Sequence, residues 1–139
     1  MTKNIEQLTK DMHDYFSNNR FDKVLENASE DIIVDAVALG TEFKGKEGFN
    51  SFMSVYKKSF PDMKLKHTSI FSNGSQVAVE FIASGTNTGP LLTPNGEIPA
   101  TGKAASIKVS EHWIWSDGKI KSIHNYTDSG SLMMQLGLM

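Results

Sequence analysis

Apolar positions follow a helical period over the first third of the chain and a strand period over most of the rest. Ile5, Leu8, Met12, Tyr15 and Phe16 recur at steps of three and four and predict a helix that Asn18-Asn19 breaks. Phe21, Val24, Leu25 and Ala28 predict a second, short helix with Asp22 near its start. Asp31 to Leu39 is rich in Ile and Val and reads as a strand. Gly45-Lys-Glu-Gly48 introduces a third helix carried by Phe49, Phe52, Met53 and Tyr56, and Phe60-Pro61 ends it, because proline disfavours helix at the residue before it. Met63 to Phe71 then meets Gln76 to Thr88 across Asn73-Gly74, and Ala104 to Trp115 meets Ile120 to Asp128 across Asp117-Gly118. Both dipeptides are strong hairpin signals. A Gly/Pro/Thr-rich connection, Gly89 to Lys103, joins the hairpins, and loops of that length are usually functional or mobile. Ser129 to Leu136 predicts a short terminal helix. Helices first and antiparallel strands after give an α+β class in one domain, residues 1–139.

A two-residue turn at Asp117-Gly118 sets a register in which Ser116 faces Lys119, Trp113 faces Ser122, Glu111 faces His124, Val109 faces Tyr126 and Ile107 faces Asp128. One sheet face then carries Ile107, Val109, Glu111, Trp113, Trp115, Ile120, His124, Tyr126 and Asp128, and holding both tryptophans it is assigned to the interior. The other face carries Lys108, Ser110, His112, Ile114, Lys121, Ile123, Asn125 and Thr127, a mixture suited to subunit packing. Pockets for small molecules are mostly apolar with a few convergent polar groups, so this alignment predicts one. Desolvation would raise the pKa of a carboxylate there toward general-base strength.

Composition narrows the function classes. The formal charge of −2 comes without a basic stripe, which argues against nucleic acid. With no cysteine there is no disulfide, thiolate metal site or thiol nucleophile, as suits a reducing cytoplasm. The N-terminal MTKNIEQLTKDM lacks the apolar run of a secretory signal, and no segment approaches the roughly 20 apolar residues that span a bilayer. No HExxH or similar spacing occurs, so no metal is expected. GTNTG at 85–89 lacks the lysine of a phosphate loop, and its glycines suit bends in a curved sheet. The expectation is a cytoplasmic domain.

The chain resembles the SnoaL-like polyketide cyclases of the NTF2-like superfamily over nearly its whole length. The residues carrying the resemblance are Gly45-x-x-Gly48, Phe60-Pro61-Asp62, Gly85-Thr86-Asn87-Thr88-Gly89, Thr101-Gly102-Lys103, Asp117-Gly118-Lys119-Ile120, and Asp128 followed by Gln135-Leu136-Gly137. The resemblance implies a cone: a curved antiparallel sheet wrapped around three N-terminal helices, an apolar cavity inside, and a homodimer through the sheet. It also implies an aspartate near the end of the last strand as acid/base for an intramolecular aldol ring closure, with no metal or organic cofactor. By position that role falls on Asp128. The family commonly has histidine where this chain has Asn87 and often tryptophan where it has His124. Both departures fall near the expected cavity and leave the substrate open.

Each candidate also has a plainer reading. Asp128 precedes the terminal helix and can be its N-cap, which would lower its pKa, unless Ser129 or Ser131 caps instead. His124, a second candidate acid/base, faces Glu111 either as an ordinary cross-strand pair or as a polar pair in the cavity. Tyr126 either packs or donates to a developing oxyanion. Glu111, Trp113, Tyr126, Asn87 and Asp35 are the candidate substrate contacts, with solvent exposure the alternative for Asp35. His112 is expected on the opposite face from His124, and His13 and His67 lack a local partner pattern. Leu91 to Pro94 is either a lid or an ordinary loop. Three functions follow: a cyclase-type enzyme acting on a hydrophobic carbonyl compound, a non-catalytic module binding a small hydrophobic molecule, or a structural role for the dimer.

Overall fold

Asn4 begins the first helix by accepting the Gln7 N–H on its side-chain oxygen at 2.9 Å, which satisfies one of the donors a helix start leaves free. The computed structural model describes residues 4–139, so the first three residues of the N-terminal segment lie outside the described residues. Helix α1 spans Ile5–Ser17 and buries Thr9, Met12 and His13; α2 spans Phe21–Glu26. Strand β1 (Ala28–Ala36) runs through a 3₁₀ turn, Val37–Leu39, into β2 (Thr41–Lys44). Helix α3 spans Gly45–Ser59. Then come β3 (Lys64–Asn73), β4 (Gln76–Thr86), a small hairpin of β5 (Leu91–Thr93) and β6 (Gly96–Ile98), β7 (Ala104–Ser116), β8 (Lys119–Thr127) and α4 (Ser129–Gln135).

The main sheet has the order β2-β1-β8-β7-β4-β3 and does not close on itself. Neighbouring strands are antiparallel except β1 and β8, which run parallel and bring the first strand beside the last. Helix α1 packs on β3 and α3 on β1, so the core lies between the helices and one face of the sheet. Apolar side chains from every second position of β4 and β7 (Val77, Val79, Phe81; Ile107, Val109, Trp113, Trp115) fill it. The expected cone with an α+β arrangement is the observed fold.

Two local expectations change. The connection from Gly89 to Lys103 is a structured hairpin, because Leu91 is buried in the core and β5 lies against α3. Residues 91–94 do not line the cavity. Asn87 holds this connection in place. Its amide donates to the Gly89 carbonyl at 2.9 Å and the Ser59 carbonyl at 3.3 Å, and its oxygen accepts from the N–H and hydroxyl of Thr101.

The larger change is in the second hairpin. The turn is as expected, with Ser116 opposite Lys119 and positive φ at Asp117 and Gly118. One pair further on, Trp115 faces Ile120 but Ile114 faces Ser122, so Lys121 has no partner and forms a bulge. A one-residue slip exchanges the faces of everything beyond it. Trp113 therefore faces Ile123, Glu111 faces Asn125 and Val109 faces Thr127. Ile123 and Asn125 are buried, whereas His124 and Tyr126 lie on the outer face.

Candidate active site

Between the helices and the sheet lies a cavity of about 90 Å³. Its walls are almost wholly apolar: Met12 and Phe16 from α1, Phe49, Phe52 and Met53 from α3, Phe81 from β4, Ile107, Val109 and Trp113 from β7, and Leu132 from α4. Polar atoms gather along one side, from His13, Tyr56, Glu111, Asn125 and Thr127. On the far side of Ser84, Gly85 and Ala105 lies a surface groove of about 470 Å³ that shares those three residues with the cavity.

Glu111 is the centre of the polar wall. It is 5% exposed, and three donors converge on it. His13 Nε2 donates to Oε1 at 2.8 Å, Trp113 Nε1 donates to the same oxygen at 3.0 Å, and Asn125 Nδ2 donates to Oε2 at 2.7 Å. Burial pushes the carboxyl's pKa up, but the hydrogen bond and charge of His13, with the Asn125 and Trp113 donors, outweigh it and hold the group below its ordinary range. An ionised carboxylate only accepts, so His13 Nε2 carries a proton. The other nitrogen of His13, Nδ1, lies 2.8 Å from His67 Nε2, and the two rings stack at 5.0 Å. The Phe81 and Trp113 rings meet His13 edge-on. Burial, followed by the neighbouring His13, lowers the His67 pKa.

The chain of contacts continues the other way. Asn125 Oδ1 accepts from Thr127 Oγ1 at 3.1 Å, and Thr127 interacts with the hydroxyl of Tyr56. Burial pushes the Tyr56 phenol up to about 12, with the Thr127 contact a smaller opposing effect, so Tyr56 stays protonated and can donate. Helix α3 supplies Tyr56 and α1 supplies His13, so the site draws on two helices and the two central strands.

Of the expected site residues, Glu111 and Trp113 face the cavity. The rest lie elsewhere. Asp128 is exposed and caps α4, accepting the Ser131 N–H at 3.1 Å. His124 lies outside, beside Asp35 at 3.5 Å, and stacks on His112 with ring centroids 6.0 Å apart. His112 thus shares a face with His124, contrary to the expectation. Tyr126 is 52% exposed. Asp35 is half-buried on that outer side, and Asn87 is buried in its loop with its amide fully engaged. The Lys121 bulge accounts for His124 and Tyr126, which the slip turns outward. Asp128 lies beyond the strand, where the start of α4 claims its side chain.

Sequence reading missed His13, His67, Tyr56, Asn125 and Thr127. Two signals were present. His13 follows Thr9 by four and Met12 by one on the buried stripe of α1. Ile120 and Ile123 are three apart in a strand, a spacing that puts two core residues on one face only if an extra residue intervenes.

The sequence model of the SnoaL-like polyketide cyclases matches residues 6–136. No curated protein matches the chain in sequence. Among solved structures, a proposed SnoaL-like polyketide cyclase from Jannaschia sp. CCS1 superposes with a TM-score of 0.81 at 16% identity, covering 100% of this chain and 98% of that one. AclR, a proposed hydroxylase from Streptomyces galilaeus, gives 0.80 at 21% identity, covering 96% and 95%. A proposed polyketide cyclase from Xanthomonas campestris pv. campestris gives 0.80 at 22%, covering 94% of each chain. At these identities the structures speak to the fold, and the match across residues 6–136 speaks to descent: this chain belongs to the SnoaL-like polyketide cyclase family, with its NTF2-like fold.

Proposed function

We propose that the chain is a cyclase-type enzyme that performs enolate chemistry, such as an intramolecular aldol closure, on a compact hydrophobic carbonyl compound held in the cavity. The observation that carries this reading is the buried Glu111–His13 pair in the wall of a largely apolar cavity. Glu111 Oε1 accepts two hydrogen bonds and Oε2 only one, so Oε2 keeps a lone-pair direction for a proton from carbon. The Tyr56 hydroxyl, on the same polar side, turns its hydrogen from Thr127 to the carbonyl oxygen as charge develops there. The apolar walls exclude water and strengthen both interactions. In this reading Glu111 and Tyr56 take the roles that Asp128 and Tyr126 were expected to have.

A direct test follows deuterium incorporation beside the carbonyl of cyclohexanone by NMR in deuterium oxide. The wild-type protein should accelerate exchange, and Glu111→Gln should abolish the acceleration. If the wild type does not accelerate it, the enzymatic reading fails for small cyclic ketones. One observation favours a second reading, a binding module for a hydrophobic metabolite: the three donors on Glu111 already hold it as a weak base. Native mass spectrometry showing a bound apolar ligand, with no exchange activity, would select that reading. In this reading a second copy of the chain packs on the outer sheet face around Tyr126, His112 and His124, and light scattering of the purified protein checks for the dimer. No helix among the described residues is long and apolar enough to cross a membrane.

A further inference from the structure

The Glu111–His13 pair has a third member that the proposed reaction leaves unused. His67 sits on β3 at the edge strand of the sheet, half-buried, while His13 and Glu111 are buried. It is not among the cavity-lining residues. Its Nε2 lies 2.8 Å from His13 Nδ1, and two ring nitrogens at that distance hold one hydrogen between them. His13 Nε2 keeps its own hydrogen for Glu111, so the proton that can move is the one between the two rings.

We propose that His67 is the solvent-side port of the buried acid–base pair, taking the Nδ1 proton of His13 and returning it. This rests on the enolate reading of the cavity and adds the route by which its proton reaches water. The step balances as follows. A substrate C–H bond breaks, its proton bonds to Glu111 Oε2, and the electron pair stays on the substrate as an enolate. His13, until then an imidazolium, gives its Nδ1 proton to His67 Nε2 and becomes neutral. The carboxylate has lost one negative charge, His13 one positive charge, and His67 has gained one, which offsets the enolate. His67 then exchanges its proton with water, and the reverse sequence delivers a proton to the product.

The coupling gives Glu111 a changeable basicity. The hydrogen bond and charge of His13 are what keep the carboxyl low against burial. Once His13 has passed its Nδ1 proton on, its charge no longer lowers the carboxyl while its Nε2 hydrogen bond remains, so the carboxylate becomes a stronger base than before. The charged and titratable groups around His67 are Lys10, His13 and Asp14 of α1 and Glu111 of β7. The first two disfavour its protonated form and the last two favour it. His67 acts through His13 and touches no substrate, so it is a positioning residue.

The test has two arms. In the first, His67→Gln keeps a hydrogen-bonding group beside His13 Nδ1 but removes a group that can carry a proton. Cyclohexanone exchange should fall by about ten-fold or more, with ketone affinity unchanged, and added imidazole should restore part of it. A loss of affinity matching the loss of rate, with no rescue, would mean a merely structural role and overturn the relay. In the second arm, ring-nitrogen NMR of the wild-type protein from about pH 5 to about pH 9 needs no activity. His13 Nδ1 and His67 Nε2 should titrate together with one midpoint. If His67 titrates while His13 Nδ1 does not respond, the relay is wrong even if the cavity is catalytic. If they titrate together but cyclohexanone is not turned over, the relay stands and the enolate reading is what fails.

Discussion

Glu111 and Asn125 face each other across β7 and β8, with the Asn125 amide donating to Glu111 Oε2 at 2.7 Å. The turn alone would have placed His124 opposite Glu111. The difference is one residue, Lys121, left unpaired on the outer edge of a bulge. The polar wall of the cavity is therefore a consequence of strand register as much as of residue type.

That dependence makes the bulge testable. Lys121 itself makes an exposed ion pair with Asp31 at 2.7 Å. Such exposed pairs are screened by solvent, so Lys121→Ala should leave stability close to that of the wild type in urea unfolding. Deleting Lys121 removes the unpaired residue and leaves Ile114 opposite Ser122, Trp113 opposite Ile123 and Glu111 opposite Asn125, so Ile123 and Asn125 stay inward. The deletion should therefore still unfold cooperatively, losing only the local twist of the bulge. A deletion variant that no longer folds would contradict this register.

Glu111 and Asp128 should also separate cleanly. Glu111→Ala removes one partner of a buried ion pair and strands the donors of His13, Trp113 and Asn125, a loss of about 3–5 kcal/mol. Asp128→Ala removes an exposed helix cap and should cost about 1 kcal/mol. Equal effects in denaturant titrations would contradict the placement of the two groups.

The fold was legible because its signals are local and repeated. The steps of three and four from Ile5 to Phe16, the alternation from Ile107 to Trp115, and the Asp117-Gly118 turn each point to the element that is found. β2 was not legible: Thr41–Lys44 is short, largely exposed, and paired only at the sheet edge. Of the polar wall only Glu111 was legible, since it lies on the strand before the bulge. Asn125 and Thr127 were not, because a single inserted residue carries no composition signal and reverses all that follows. His13 and His67 are 54 positions apart, and only the packing of α1 on β3 brings them into contact.

Gly89 tests the loop that Asn87 anchors. A Cβ there would sit 1.9 Å from the Lys58 carbonyl oxygen at the end of α3, and backbone on both sides leaves neither free to retreat. The requirement is for space rather than for an unusual φ. Gly89→Ala should destabilise by about 1–3 kcal/mol or more in thermal or urea unfolding, as overpacking does. Gly74→Ala has nothing within 4 Å of the added carbon and differs only in its positive φ, so it should be the milder of the two.

Acid should weaken the fold in two stages. His67 has a folded pKa below its ordinary value of 6.5, with burial the largest cause and His13 the next. The unfolded chain then binds a proton at a pH where the folded one does not, so stability rises with pH through that window. The contribution is whole above the ordinary histidine value and is lost as pH falls to the lower folded value. Glu111 is the carboxylate counterpart. Burial works against its charge, yet His13, Asn125 and Trp113 hold it below its ordinary 4.5. Its contribution is present above that value and disappears as pH falls through the folded one. The hydrogen bonds from Arg20 to Asp22, from Lys121 to Asp31 and from Thr86 N–H to Asp62 hold those carboxyls low as well, so they share the second window. Melting temperature measured against pH should therefore fall first below about pH 6.5 and again below about pH 4.5. His67→Gln should remove the first stage and leave the second. A variant that keeps both stages would mean that another group is protonated in the upper window.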